Sequence, residues 1–499
     1  MLRRILLSIT AAIVLLLVIV GGGAYWFFAR DGFRRALESQ ATSWLGHPVR
    51  IGAARAQLLP RLAVELRDIR VGEPVQLTLG EVDLASDLRP LFSGRIENAD
   101  VSVSGSRIDL PLPFAMPKGS SGDTAAPPSA SDPPVRVVSV RSITLRSVGL
   151  RSRGREVRVS ADLAYGATAL AVSKFTAESG ATTLDAEGVV TLSPRVDALL
   201  NATANRLDLD ELLALSDAFA TGTTPPGTPT AVGRPPRIVV NISAREATAG
   251  RVQVHHLLTT LVRDGASVTL KPSQFEVFGG RYAGSISARL GSEMSATLEA
   301  RVENIDVAQL AAFGGAPDSI TGTLSGTGKF TGTGADVAQL VHSVRGSGAA
   351  TIVDGSIKRL HLVRTVILFF GRPAPDAGEG TDRFDRLAAR FSLANRVLNA
   401  EAFELHSTDA DVVGTGTLNL DSEALDGRGD VTLSEALSKQ AGTDLYRYAR
   451  EGNRVVLPAN LGGTLTMPRL TIDVGAAAKR GLKNEVERRI KGIFDGLKR

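Results

Sequence analysis

The run Gly326-Thr327-Gly328-Lys329-Phe330-Thr331-Gly332 places glycines around a lysine, the combination that cradles a phosphate. Its spacing fails both tests. The third glycine is displaced from the dinucleotide pattern. In the nucleotide-triphosphate pattern, Thr323 stands where the first glycine belongs and Phe330 follows the lysine. A glycine turn between strands is the simpler account. The nucleophile-elbow pattern Gly-x-Ser-x-Gly is absent. Adjacent His255 and His256 would point to opposite faces of a strand and so could not readily chelate one metal. His361 and His406 lack carboxylates at metal-ligand spacing, and Asp409 and Asp411 read as a solvated strand edge. The chain has no cysteine, which removes disulfides, thiolate nucleophiles and Cys-ligated zinc. The expectation is a protein with no catalytic residues, no cofactor and no metal, and therefore not an enzyme.

The chain's content lies instead in its periodicity. At 499 residues it exceeds one ordinary core, so several modules or one repetitive architecture are expected. Glycine is plentiful at 51 residues and aromatics are sparse at 5%, which suits many short strands better than long packed helices. Glu156–Leu163 alternates strictly, and the pattern recurs at Ile238–Ile242, Ser267–Leu270, Ser285–Leu290, Ala296–Val302 and Gly416–Leu420. Helical spacing interrupts at Gly32–Leu45, Asp208–Ala220, Val307–Phe313, His361–Phe370 and Leu433–Arg450. Pro111–Val135, Thr221–Arg237 and Gly371–Asp382 are Pro- and Gly-rich and read as mobile linkers. Strands of about nine residues would number about 30. The fold class is mainly β: an N-terminal transmembrane helix, then an elongated curled sheet, with a few short helices and a C-terminal amphipathic helix. The divisions are an anchor at 1–29, a helix and β region at 30–110, a linker at 111–135 and a middle β region at 136–220. A Pro-rich linker at 221–237, a second β region at 238–475 and a basic helix at 476–499 follow.

The anchor is Ile5 to Phe28, with Ile5, Leu6, Leu7, Ile13, Leu15, Leu16, Leu17, Val18, Ile19, Trp26, Phe27 and Phe28 as its apolar residues. At 1.5 Å per residue it crosses about 30 Å of hydrocarbon. A cleaved signal peptide is the alternative, since Gly22 and Ala24 are small. Arginines flank both ends, so charge does not set its orientation. At the other end, Leu482, Val486, Ile490, Ile493 and Leu497 repeat at helical spacing among basic residues. From Ala476 onward eight basic residues face three acidic ones, which accounts for the whole formal charge of +5 and leaves the body neutral. A neutral body argues against nucleic acid as a partner. The tail helix either lies on an anionic membrane surface or packs across the end of the sheet.

Two groups of short motifs add a resemblance. The first is Leu45-Gly46-His47-Pro48-Val49-Arg50-Ile51, Leu66-Arg67-Asp68-Ile69-Arg70-Val71-Gly72 and Leu88-Arg89-Pro90-Leu91. The second is Phe278-Gly279-Gly280-Arg281-Tyr282, Asn304-Ile305-Asp306-Val307, Gly322-Thr323-Leu324-Ser325-Gly326, Val353-Asp354-Gly355-Ser356-Ile357 and Leu461-Gly462-Gly463-Thr464-Leu465. In this order they resemble the N- and C-terminal regions of the AsmA family. The resemblance implies a Gram-negative inner-membrane protein with its body in the periplasm. It also implies a β-groove related to lipid-transfer proteins and a role in phospholipid movement and outer-membrane homeostasis. It brings no catalytic residues. Val157, Val159 and Leu163 are then candidate lipid-facing positions, and membrane phospholipid and envelope proteins are the expected partners. The alternative fold is a sandwich whose apolar face is filled by its own side chains. The alternative function is a scaffold or assembly factor for envelope proteins.

Overall fold

The computed structural model describes residues 31–497 apart from 58–60, 76, 88–94, 111–135, 138, 167, 193–194, 220–235, 359, 361, 363–364, 366–380 and 441–448. The expected anchor and the segment 111–135 therefore lie outside the described residues, as does most of 221–237, 371–382 and the expected helix at 361–370. Among the described residues no helix is long and apolar enough to cross a membrane. The chain is mainly β with a few helices, and it divides into two compact units, Met1–Gln253 and Val254–Arg499.

In the first unit α1 (Asp31–Leu45) leads into β1 (Val49–Gln57), β2 (Leu62–Val71), β3 (Leu77–Ser86), β4 (Arg95–Ile96), β5 (Ala99–Ser104) and β6 (Arg107–Leu110). There follow β7 (Arg136–Val137), β8 (Val140–Ser152), β9 (Arg155–Tyr165), β10 (Ala169–Ser179), β11 (Thr182–Thr191), β12 (Asp197–Asp208), α2 (Leu209–Phe219) and β13 (Arg237–Ala249). The ladder runs β1-β2-β3, then β5 and β6 end to end, then β8 through β13, while β4 and β7 form a separate parallel pair. It is antiparallel except where β8 joins β5 and β6 and where β13 joins β12. The edge strand β1 is covered by α1. Glu38 accepts from the Ile51 amide at 2.7 Å, Thr42 accepts from the Val49 amide at 3.1 Å, and Arg34 donates to the Ile51 carbonyl at 3.2 Å. Leu37, Ala41 and Leu45 pack on Val49, Ile51, Ile69 and Val71, so one amphipathic helix buries apolar surface and satisfies edge groups together.

The second unit holds β14 (Val252–Asp264), β15 (Ser267–Val277), β16 (Gly280–Arg289), β17 (Met294–Asp306), α3 (Val307–Phe313), β18 (Ile320–Gly334), α4 (Val337–His342) and β19 (Arg345–Lys358). It continues with β20 (Thr381–Ala394), β21 (Val397–His406), β22 (Ala410–Asn419), β23 (Leu425–Leu433), α5 (Glu435–Gln440), β24 (Arg450–Glu451), β25 (Arg454–Gly463), β26 (Pro468–Ile472) and α6 (Val474–Leu497). From β14 to β23 each strand pairs antiparallel with the next, and β25 then joins β23. The hairpin at Asn395-Arg396 has both residues at positive φ, the geometry that matches strand twist in a two-residue turn.

Several expectations need correction. Among the described residues there are 26 strands, from two residues to the 15 of β18, so individual lengths scatter widely about the expected nine. Gly326–Gly332 is the interior of β18, not a turn. The helix expected from Leu433 begins at Glu435, because Leu433 completes β23 and the Ser434 hydroxyl caps the turn by accepting from the Leu437 amide. α4 was not foreseen; six residues are too short to show a period, and its start is fixed by Asp336 accepting from the Gln339 amide. β20 starts at Thr381, inside the stretch read as a loop. Asp411 lies on an interior strand, held by His406 and Arg454 rather than at a solvated edge. His255 and His256 do not alternate. The register slips between His255 and Leu258, His256 takes φ +52°, and its ring reaches Glu276, the residue opposite His255.

Replacing Glu38 by alanine leaves the Ile51 amide without its acceptor. The expected cost is about 1–3 kcal/mol, read by denaturant unfolding, with faster exchange of the Ile51 amide than in wild type.

Candidate functional site

Residues directly opposite in a ladder share a face, so the registers identify what each face presents. In the first unit one row reads Ala56, Val64, Leu84, Val101, Ile143, Leu163, Val172, Gly188, Leu200 and Val240. The next row reads Leu66, Val82, Val103, Leu145, Ala161, Phe175, Ala186, Ala202 and Ile242. No charged residue enters either row. The opposite face carries the ion pairs, including Arg67 with Glu65 and Glu81, and Arg61 and Arg141 with Asp100. The hydrogen bond from Arg141, with those from Ser142 and Arg61, holds the Asp100 carboxyl well below the usual carboxylate range. Its contribution is therefore intact above the unfolded value near 4 and is lost only as pH falls toward the lower folded value.

The second unit repeats the arrangement with smaller residues. Across β18 to β25 the rows are Leu324-Ile352-Leu387-Leu405-Val412-Val431-Leu457, Gly326-Ala350-Ala389-Phe403-Gly414-Gly429-Ala459, and Gly328-Gly348-Phe391-Ala400-Gly416-Gly427-Leu461. A fourth, from β18 to β23, is Phe330-Gly346-Leu393-Leu398-Leu418-Leu425. Branched residues dominate the first and fourth rows, while the middle two are glycine and alanine with Phe391, Phe403 and Leu461. The rings lie down on the sheet. A Cβ at Gly328 would sit 2.6 Å from Phe330, and one at Gly348 would sit 2.7 Å from Phe391. Each ring thus occupies space that only a neighbouring glycine leaves, the aromatic cover known to compensate sheet glycines.

Exposure separates this face from a sandwich interior. Facing sheets would bury both sides, yet Leu163, Leu200, Leu298, Phe391, Phe403 and Leu418 are half-buried, and Leu84 is 39% exposed. One margin is closed: Leu405, Val412, Val431, Leu433 and Leu457 form a buried core with Phe384 and Leu362. Where that core meets the half-open rows lies a cavity of about 290 Å³, lined by Ile320, Leu387, Phe403, Leu425, Leu461 and Leu470 among others.

Of the positions proposed to face lipid, Val157, Val159 and Leu163 all lie on the apolar face of β9. Val159 is only 8% exposed and is opposite buried Val148, whereas Leu163 is in the half-open row. In α6, Arg480 forms two hydrogen bonds to Asp430 and an ion pair with Glu451, so the helix docks through a polar side chain. Leu482 and Val486 are turned outward, 71% and 55% exposed. The side chains of Ile490, Ile493 and Leu497 are outside the described set. Among the described residues no group of three His, Asp or Glu side chains could hold a metal ion. Sequence reading missed the glycine–alanine middle rows, since their alignment exists only once registers are known.

Residues 205–403 match the AsmA family, so the resemblance read from the sequence is borne out over that stretch. The match begins within the middle region, where the sequence motifs carried little signature. No curated protein and no solved structure matches the chain.

At Gly328 the built Cβ meets only the Phe330 ring closely, with no backbone clash. Gly328→Ala is expected to destabilise by about 1–3 kcal/mol in denaturant unfolding, and Gly328→Ala with Phe330→Leu to recover most of it.

Proposed function

From a chain whose residues 205–403 match the AsmA family, we propose a lipid-holding protein that shields acyl chains of phospholipid against its apolar sheet faces. The observation that carries this reading is the apolar, half-buried face running across successive strands with no charged residue in its rows. Each methylene moved from water onto such a face gains about 0.8 kcal/mol at full burial, so a single acyl chain supplies enough free energy to stay. The glycine and alanine rows leave depth for it, and the flattened phenylalanines give it a smooth floor. In this reading each face works as a groove. The apolar segment 5–28 holds the chain at the inner membrane, the body stands in the periplasm, and the lipid traffic serves the outer membrane. With no energy-coupling site recognised in the sequence, direction of movement comes from partners. No chemistry on the lipid is involved.

α6 fits the same picture. Its outward Leu482 and Val486 stand beside Lys479 and Lys483, the arrangement of a helix lying on an anionic bilayer.

Photo-crosslinking residues at Leu163, Leu200 and Leu298 of the full chain, expressed in its own cells, are expected to yield phospholipid adducts. The same residues at Glu299 and Lys329, paired on the opposite face, should yield none. Adducts at neither set, or equally at both, would remove the proposal. Because the chain has no native cysteine, one introduced at Leu482 gives a unique fluorophore position. In proteoliposomes its emission should shift to the blue with phosphatidylglycerol and revert at high salt; an unchanged spectrum rules out surface docking.

A further inference from the structure

Hydroxyl side chains interrupt the apolar face of the second unit where β14, β15 and β16 meet. Thr259 on β14 lies opposite Ser273 on β15, both are buried, and their hydroxyls are hydrogen-bonded at 2.8 Å. Ser273 in turn lies opposite Gly284 on β16, and the Tyr282 ring extends over that glycine. A Cβ at Gly284 would sit 2.6 Å from the Tyr282 Oη. Three hydroxyl side chains from three neighbouring strands are thus gathered on a face otherwise made of Val268, Leu270, Phe275, Ile286 and Leu298.

Two of the hydroxyls satisfy each other. The third does not. Tyr282 is 8% exposed, its ring is stacked on Phe275 with centroids 4.4 Å apart, and its Oη is buried with no hydrogen-bond partner. Burial pushes its phenol above the usual value, so it remains a protonated donor. A buried donor without an acceptor costs free energy in the empty protein, and such groups in native structures call for an explanation. Because Oη is covered in the empty protein, an acceptor reaches it when a ligand displaces what covers it.

We propose that Tyr282 donates a hydrogen bond to an ester carbonyl oxygen of the bound lipid. The inference rests on the lipid-holding function proposed above and adds a fixed point to it. An acyl ester is where the apolar tail of a glycerolipid meets its polar part, and its carbonyl accepts without carrying charge. The lipid is therefore held at this position with its tails along the glycine and alanine rows.

The test uses the full chain in detergent, offered dioleoyl phosphatidylglycerol and its dialkyl ether analogue in competition, with bound lipid read by native mass spectrometry. Wild type should prefer the ester about five- to tenfold, the value of one net hydrogen bond, and Tyr282→Phe should bind both lipids alike. A wild type without ester preference, or a Tyr282→Phe variant that keeps it, overturns the proposal. Uptake of neither lipid by wild type would instead bring down the lipid-holding function itself, and this inference with it. Thermal unfolding of the lipid-free protein gives the second reading. Tyr282→Phe should melt at the same temperature or higher, because an unsatisfied group is removed. A clear loss of stability would mean that the hydroxyl serves the protein's own packing, which also overturns the proposal.

Discussion

The structure depends on an apolar face kept in register from strand to strand while much of it stays without a covering layer. Such a face is costly in water, and a soluble domain ordinarily removes it by adding a second sheet or a row of helices. Here the cost is limited at one margin of each unit. Helix α1 covers the start of the first ladder, and the core around Val431, Leu433 and Leu457 closes the margin of the second. Away from its closure, the apolar face of each unit stays half-buried.

Keeping many strands in one register requires devices that bend the sheet without moving a side chain to the wrong face. Register slips supply them. Ser147, His256 and Asn304 take positive φ at such slips, and short polar or imidazole side chains tolerate that conformation better than branched ones. Beyond two of these slips, Val148 and Ile305 are buried at 4% and 3% exposure. The bulges thus mark where the half-open face passes into packed interior. The opposite face is stabilised differently, by exposed pairs such as Lys329–Glu299 whose individual value is small, and it stays polar enough to keep the sheet from pairing with itself.

Aromatic residues take an unusual share in this economy. Phe330, Phe391 and Tyr282 lie over glycines of their own or the adjacent strand instead of standing out from the sheet. Any larger residue at Gly328 or Gly348 would lift a ring into the space above the face. Glycine there acts through what it leaves vacant, and the open depth of the second unit follows from it.

Much was legible in the sequence. Strict alternation at Glu156–Leu163 fixed a half-buried strand, helical spacing placed α1, α2 and α3 within a residue or so, and the ordered Gly/Thr motifs carried the family resemblance. These signals are local, since period and capping depend on residues a few positions apart. Tertiary structure alone decided the rest. Period two is the same for a sandwich and for an open face, and only the exposure of Leu163, Leu200 and Leu298 separates them. The bulge that turns His256 toward Glu276, the docking of α6 through Arg480 and the meeting of Thr259, Ser273 and Tyr282 likewise require strands or helices distant in sequence to be brought side by side. Which face a residue presents is written in its neighbours; what lies across from it is settled only when the chain has paired.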